Sequence, residues 1–431
     1  MIQDPQILLG PPGTGKTTTL LNMVERDIEE GVDPERIGYF SFTKKAAQEA
    51  AERASDRFGL DRTRLKYFRT LHSLCFQSLG LSNSDVFEGK KMVEFGDWIG
   101  IKLSQHVRMD DTTMFGFTQG DRALFMENLS RVTEKPLRQL FDVDSDGLSW
   151  HMVERMSRAL HEYKKTHTLV DYTDMLDMFS RSEWSPNLEV LYVDEAQDLS
   201  MLQWRVVEKL ARGARKVVIA GDDDQAIYRW AGAAVEHFVA MSGNVRVLDQ
   251  SWRVPPPIQL VSADIISRVR NRREKSWRPA DKEGVVQRLG SLDEVNWWED
   301  DILVLGRNSF VFRDLERDLR SDGVIFETRG HNSVKRSTLE SVKIWEKLRS
   351  GGEVASDDVR SVYGLMSSGP SVKRGYKTLP GVPADQMLSL EWLIANGGLL
   401  RSEIWHEALD RIPKDEATYM LRSLQKGEKM S

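Results

Sequence analysis

The 431-residue chain has almost no cysteine, Cys75 alone, and no run of about eighteen apolar residues. A single cysteine excludes an internal disulfide framework and fits a reducing cytoplasm. Without a long apolar run, or a charged start leading into an apolar core, the sequence offers neither a membrane span nor a signal peptide. Positive charge is not in excess either: 60 Lys and Arg against 66 Asp and Glu leave a net charge of −6. That argues against a surface coated uniformly for nucleic acid. It leaves room for a local basic groove, because only the surface facing a strand makes phosphate contacts. No internal repeat or low-complexity tract occurs. What is present, 40% hydrophobic and 29% charged residues, describes a globular protein. At this length roughly two to four domains are expected. The 12 tryptophans exceed what such cores need, so some are candidates for stacking surfaces.

The chain is built around Gly10-Pro11-Pro12-Gly13-Thr14-Gly15-Lys16-Thr17. A short apolar run, Ile7 to Leu9, precedes it, and a helical segment from Thr18 to Glu30, which Gly31 can end, follows. This is the strand–GxxxxGK[ST]–helix order of a phosphate-binding loop. The glycines let the backbone curl around a phosphate, with N–H groups turned inward beside the positive end of a helix. Lys16 can reach the β and γ phosphates, and the Thr17 hydroxyl can hold Mg²⁺. The chain is therefore expected to bind a nucleoside triphosphate.

Strand and helix patterns alternate through the first third. Strands are expected at Ile37 to Phe42 and Leu65 to Phe68, with Thr43 and Thr70 as N-caps of the helices that follow. From about Asn83 to His167 strand signals vanish, and amphipathic stretches such as Met152 to Tyr163 indicate a helical insertion. Parallel-sheet patterning returns at Leu188 to Val193, Lys216 to Ala220 and Val245 to Asp249. A second α/β segment is expected from Gln250, with strands at Val285 to Leu289, Ile302 to Leu305 and Val324 to Thr328, and a helix from Ser309 to Arg320. Beyond His331 the periodic segments Leu339 to Leu348 and Leu388 to Ile394 read as helices.

Leu191-Tyr192-Val193-Asp194-Glu195-Ala196-Gln197-Asp198 is an apolar strand ending in adjacent carboxylates. Asp194 would hold Mg²⁺ with Thr17, and Glu195 would orient or deprotonate the attacking water. A third strand, Val217 to Ala220, ends in Gly221-Asp222-Asp223-Asp224-Gln225. The Gln225 amide can both donate and accept at a γ-phosphate. Tyr228 and Trp230 follow closely and can present flat faces to bases, core packing being the alternative. The run Arg268, Arg270, Arg272, Arg273, Lys275, Trp277, Arg278 could track a phosphate backbone or be a solvated helix end. The acidic turns at Asp110-Asp111 and Asp142 to Asp146 show no metal-ligand spacing and read as surface.

The order GPPGTGKT, FTKKAAQEA (42–50), TLHSL (70–74), DYTDML (171–176), VDEAQD (193–198), GDDDQAIYRW (221–230) and LDQSWR (248–253) resembles the superfamily 1 DNA helicases of the UvrD/Rep/PcrA type. These blocks cover roughly the first 255 residues. The resemblance implies the same roles for Lys16, Thr17, Asp194, Glu195 and Gln225, with ATP and Mg²⁺ as cofactors. It adds Phe42, Thr43, Thr70 and His72 as contacts to single-stranded DNA, Trp230 as a base-stacking residue, and Arg253 as an arginine finger. The nucleotide would then lie in a cleft between two RecA-like domains. It implies a first RecA-like domain over 1–82 and 168–249, and a helical insertion over 83–167. The first part of a second RecA-like domain would span 250–330, and a shortened helical second insertion 331–431. A 3′-to-5′ polarity, a single strand or a single-strand/duplex junction as partner, and a bacterial or phage-infected cytoplasm follow from the same likeness.

Departures from that pattern are specific. Nine residues precede Gly10, where the family usually has about twenty, including a glutamine that reads adenine. Thr18 stands where an arginine is common, Trp252 where a tyrosine stacks on adenine, and Ala231 where a second arginine follows the stacking tryptophan. The TxHxxKGxE block and the block with a second arginine at the γ-phosphate do not occur between 331 and Ser431; Lys426-Gly427-Glu428-Lys429 is no convincing remnant. The second domain is therefore expected to be incomplete, the remainder coming from a longer form or from another polypeptide that supplies these motifs.

Overall fold

The computed structural model describes residues 2–104, 118–298, 302–306, 309–328 and 331–425. Two compact units divide the chain, Met1–Gln287 and Arg288–Ser431.

The first unit is organised by six strands: β1 (Gln6–Leu9), β2 (Ile37–Ser41), β3 (Phe68–Arg69), β4 (Val190–Asp194), β5 (Lys216–Gly221) and β6 (Asn244–Val247). All pairs are parallel, in the order β3-β2-β4-β5-β1-β6. Every residue of β2 and β4 is buried, which is why these strands read as continuous apolar runs rather than alternations. Their side chains divide between two cores. Leu8, Tyr39, Val190, Tyr192, Val218 and Ala220 face α1 (Lys16–Glu29) and α2 (Lys44–Phe58). Ile7, Leu9, Leu191, Val193 and Ile219 face α3 (Leu71–Ser78) and, later in the chain, Tyr172–Arg181 and Met201–Ala211. The register pairs Leu9 with Gly221, and Ser41 with Asp194. The polar residues that end these strands therefore collect at one carboxyl edge, where open α/β sheets bind ligands.

Between β3 and β4 lies the expected helical insertion: α4 (Lys90–Ile99), α5 (Gln119–Thr133), α6 (Leu137–Val143) and α7 (Trp150–His167), followed by α8 (Tyr172–Arg181). Phe95, Leu124, Met156 and Leu160 form its core. Arg131 of α5 binds Asp171 and Asp174 at the start of α8 at 2.7 and 3.0 Å. Lys164 of α7 reaches both carboxylates at 2.5 Å. Asp110 and Asp111 lie outside the described residues. After α9 (Met201–Ala211) and α10 (Val235–Ala240), the segment following β6 carries α11 (Pro256–Ile266), in which no residue is buried.

The second unit holds α12 (Phe312–Asp322), α13 (Arg336–Arg349), β7 (Val354–Ala355), α14 (Ser356–Gly364), β8 (Met387–Leu388), α15 (Leu390–Ala395), α16 (Trp405–Ala408) and α17 (Lys414–Gln425). Gly323, at φ +84, stops α12. Trp345, Tyr363 and Trp405 centre the core. The antiparallel pair β7-β8 is the unit's one sheet among the described residues.

Three expected strands do not form. Val285 to Leu289 and Ile302 to Leu305 have no regular structure, and Val324 to Thr328 contributes one isolated bridge, Glu327 to Asn332. A strand needs a neighbour to satisfy its backbone groups, and none is supplied among the described residues. Leu303 and Leu305 consequently stand 80% and 84% exposed.

Candidate nucleotide site and nucleic-acid face

The phosphate loop leaves β1 and enters α1 through two glycines that need left-handed backbone, Gly13 at φ +72 and Gly15 at φ +77. The Thr14 hydroxyl donates to the Pro11 carbonyl at 2.8 Å and closes the curl. Lys16 opens the helix, and its ammonium lies 2.9 Å from Glu195 Oε2. Burial alone would lower the Lys16 ammonium, but Glu195 and Asp194 outweigh it and raise it. Burial likewise works to raise Glu195, yet Lys16 and Gln197 hold it below the ordinary carboxylate range. Glu195 itself sits at φ +53, an unusual conformation for a residue with a side chain, which turns it off the end of β4.

Asp194 is buried and accepts from the Tyr39 hydroxyl at 2.9 Å and from the Thr17 hydroxyl at 3.3 Å. Burial, and then the neighbouring Glu195 charge, raise its pKa, as expected of an acid placed to meet a cation. Ser41, its register partner on β2, buries a hydroxyl that has no hydrogen-bond partner. Hard oxygen donors of this kind suit Mg²⁺. Among the described residues no group of three or more His, Cys, Asp and Glu could hold a metal. The protein would thus offer only Thr17 and Asp194 to the ion, which fits the habit of Mg²⁺ to complete its shell with phosphates and waters.

A hydrogen-bond path leads away from Glu195. Gln197 Nε2 donates to Glu195 Oε2 at 2.8 Å and to Asp198 Oδ2 at 3.2 Å. Gln197 Oε1 accepts from the Asp222 backbone N–H at 3.0 Å, and Asp222 Oδ2 accepts from the Gln225 amide at 2.6 Å. Two residues at sheet ends, Glu195 after β4 and Gln225 after β5, are thereby joined. Neither Gln197 nor Tyr39 was assigned a role from sequence. Gln197 lay inside the recognised VDEAQD block, whereas nothing in the sequence singled out Tyr39.

The segment after β6 lies on the loop. Ser251 Oγ donates to the Pro12 carbonyl at 2.8 Å, and the Trp252 N–H donates to the Gly13 carbonyl at 2.9 Å. A Cβ on Gly13 would come within 2.4 Å of Arg253 Cβ. Trp252 and Arg253 are thus both beside the loop and exposed, the indole by 70%. Thr18, on the first turn of α1, is exposed as well.

The expected DNA contacts separate into two sets. Trp230 is half exposed, with its ring 6.3 Å from Phe125 of α5. Thr43 and His72 are partly open; the Thr43 hydroxyl caps α2, and His72 meets Tyr172 edge-on at 5.8 Å. Phe42 and Thr70 are buried: the Thr70 hydroxyl caps α3, and the Phe42 ring lies 5.4 Å from Tyr228. Phe42 therefore supports the Tyr228 segment from below in this conformation.

The basic run after α11 is neither a free phosphate track nor simply a solvated helix end. Arg272 and Lys275 are spent on the Asp222 to Asp224 turn, to which Arg273 adds only its backbone N–H, its guanidinium donating to the Phe238 and Met241 carbonyls.

A parallel sheet with this loop after β1, a glutamine beyond the end of the adjacent β5 and a carboxylate pair at the end of β4 defines a P-loop nucleotide-binding protein. The model of the UvrD/REP helicase N-terminal domain matches residues 1–246, and the chain belongs to that family. It is similar to the ATP-dependent DNA helicase Rep of Buchnera aphidicola, 24% identical over 291 residues, 62% of this chain and 41% of the relative. It is also similar to the ATP-dependent DNA helicase PcrA of Staphylococcus aureus, 21% identical over 369 residues, 78% of this chain and 48% of the relative. The putative ATP-dependent DNA helicase YjcD of Bacillus subtilis is 25% identical over 244 residues, 54% of this chain and 32% of the relative. The chain spans less than half the length of each of these relatives.

Proposed function

We propose that the chain is the ATP-hydrolysing, DNA-gripping part of a single-stranded-DNA translocase of the helicase type, moving 3′-to-5′ and working in the cytoplasm. The observation that carries this reading is the path from Glu195 through Gln197 and Asp222 to Gln225, with the exposed Trp230 five residues further on. It joins a candidate hydrolytic base to a candidate base-stacking surface by short covalent and hydrogen-bonded steps.

In this reading the loop N–H groups and Lys16 take the β and γ phosphates of ATP. Glu195, kept ionised by Lys16 and Gln197, orients the attacking water and accepts its proton. Mg²⁺, held by Thr17 and Asp194, would neutralise phosphate charge. Arg253 acts as the finger at the γ-phosphate, Trp252 stacks on the base, and Gln225 reads whether the γ-phosphate is present. Trp230 and Tyr228, with Thr43, Thr70, His72 and Phe42, hold or support the strand. The domain division 1–82 with 168–249, insertion 83–167, second motor segment 250–330 and shortened second insertion 331–431 belongs to the same proposal.

A second reading, a split motor whose partner supplies the absent motifs, is favoured by one feature. α11 buries no residue, and its Leu260 and Ile265 are 68% and 58% exposed, an apolar helix surface that another polypeptide would cover. Release of streptavidin from biotinylated single strands distinguishes the readings. ATP-driven release from the 5′ end alone is the result expected of an autonomous 3′-to-5′ motor. Strand binding without release from either end supports the split motor, and absence of strand binding contradicts both.

A further inference from the structure

Three consecutive carboxylates follow β5, and a single lysine fifty residues away is buried among them. Lys275 has a side chain 1% exposed, with its ammonium 2.6 Å from Asp223 Oδ1, 3.0 Å from Asp224 Oδ2 and 3.3 Å from Asp222 Oδ1. Arg272 binds Asp224 with two parallel bonds, Nε to Oδ1 at 2.7 Å and a terminal nitrogen to Oδ2 at 2.6 Å. The Arg273 N–H donates to Asp223 Oδ2 at 2.7 Å. Adjacent buried carboxylates repel one another, so this turn is tenable only with its cations in place.

We infer that Lys275 is a positioning residue for nucleotide turnover, acting through Asp222 to hold the Gln225 amide where the terminal phosphate is read. The inference rests on the proposed ATPase reading and adds a residue that the sequence match to 221–230 does not contain. Asp222 divides its two oxygens: Oδ1 takes Lys275 and the Asp224 N–H, and Oδ2 takes Gln225. Its backbone N–H is fixed by Gln197, which also holds Glu195. A simple surface staple would reach only the outer carboxylates, whereas Lys275 reaches the fully buried one that orients the sensor. Burial by itself would lower the Lys275 ammonium; the aspartates outweigh it and keep the group charged.

The same segment also touches the loop. Gln250 and Arg278 bridge its two ends, Ser251 and Trp252 bond to Pro12 and Gly13, and Lys275 lies between. One strap therefore connects the loop, the Arg253 finger and the sensor turn. A shift of the finger segment when nucleotide binds would be felt at Gln225 through Asp222.

The test uses the full chain and compares Lys275→Met, Lys275→Arg, Gln225→Ala and the Lys275→Met/Gln225→Ala pair. Dissociation constants for ADP and for a non-hydrolysable ATP analogue are measured together with kcat and KM, with and without oligo-dT. Lys275→Met should lose roughly tenfold of the preference for the triphosphate and roughly tenfold in kcat, with ADP affinity changed less than about twofold. Lys275→Arg should restore most of both. The double variant should be no worse than Gln225→Ala, because the two act through one contact. Additive losses in the double variant, or an unchanged preference and kcat in a folded Lys275→Met, would overturn the inference. Where Lys275→Met does not fold, Arg272→Ala loosens the same clamp and is read in the same cycle. A wild-type chain that binds neither nucleotide contradicts the ATPase reading itself, and the inference with it.

Discussion

The Lys16 ammonium and the Glu195 carboxylate form an ion pair at 2.9 Å, across 179 residues of sequence. One contact thus joins the group expected to meet phosphate and the group expected to handle water. In the proposed reading a triphosphate entering the loop competes with Glu195 for the lysine, while Gln197 stays on the carboxylate. Glu195→Gln should therefore leave nucleotide binding intact while lowering turnover by about 10²–10⁴-fold. Lys16→Ala should lose binding and turnover together. Equilibrium binding of a fluorescent ATP analogue beside steady-state hydrolysis separates the two outcomes.

Gly13 carries the second prediction. Its φ is +72, and an added Cβ would meet Arg253 Cβ at 2.4 Å and Ser251 Oγ at 2.9 Å. Gly13→Ala pays twice, in backbone strain of about 1 kcal/mol or more and in displacement of the 251–253 strap. Affinity for the triphosphate should drop at least tenfold, with ADP affected less if Arg253 acts at the γ-phosphate. Titration calorimetry with both nucleotides checks this.

The third prediction concerns pH. Asp198 has one carboxylate oxygen buried without a partner, and burial, then the Glu195 charge, lift it from the ordinary 3.8 to about 7. The native state therefore binds a proton more tightly than the unfolded chain does. The stabilising contribution of the neutral acid is complete below about pH 4 and fades as pH rises through about 7. The effect is capped near 4 kcal/mol, at about 1.4 kcal/mol for each pKa unit. Asp198→Asn, which cannot ionise, should gain stability relative to wild type as pH climbs from 4 to 8. Urea denaturation across that range should show the difference growing and then levelling off; a constant difference contradicts the assignment.

The helical insertion offers a test of stability alone. Arg131 holds Glu127, Asp171 and Asp174 together with Lys164. Arg131→Met leaves buried carboxylates uncompensated and should cost about 3–5 kcal/mol. Nucleotide affinity should survive at temperatures where the variant is folded.

Legibility followed the range of the interactions. The loop, the Asp194-Glu195 pair and the Thr43 and Thr70 caps are local patterns of a strand, a turn and a helix start, and the structure has each in place. Tyr39 on Asp194 and Lys275 on Asp223 are bonds across 155 and 52 residues, made by side chains that no local pattern marks. The basic run after α11 illustrates the same point: its charge was visible, but its partners were not. Leu303 and Leu305 show the converse, since an apolar run becomes a strand only where a neighbouring strand accepts it. Phe42 was placed by likeness at the strand-binding face, but its ring is 6% exposed and packs against Tyr228.

The central claim is that nucleotide hydrolysis and strand binding are coupled through the Gln225 to Trp230 segment. Steady-state ATP hydrolysis by the purified chain, with and without oligo-dT, tests it most directly when wild type, Lys16→Ala and Trp230→Ala are run side by side. The account predicts a rise in wild-type turnover with DNA, no turnover in Lys16→Ala, and basal turnover with a blunted rise in Trp230→Ala. That blunting should accompany a loss of about 1–3 kcal/mol in strand affinity. Wild-type turnover that is vigorous and indifferent to DNA would contradict it.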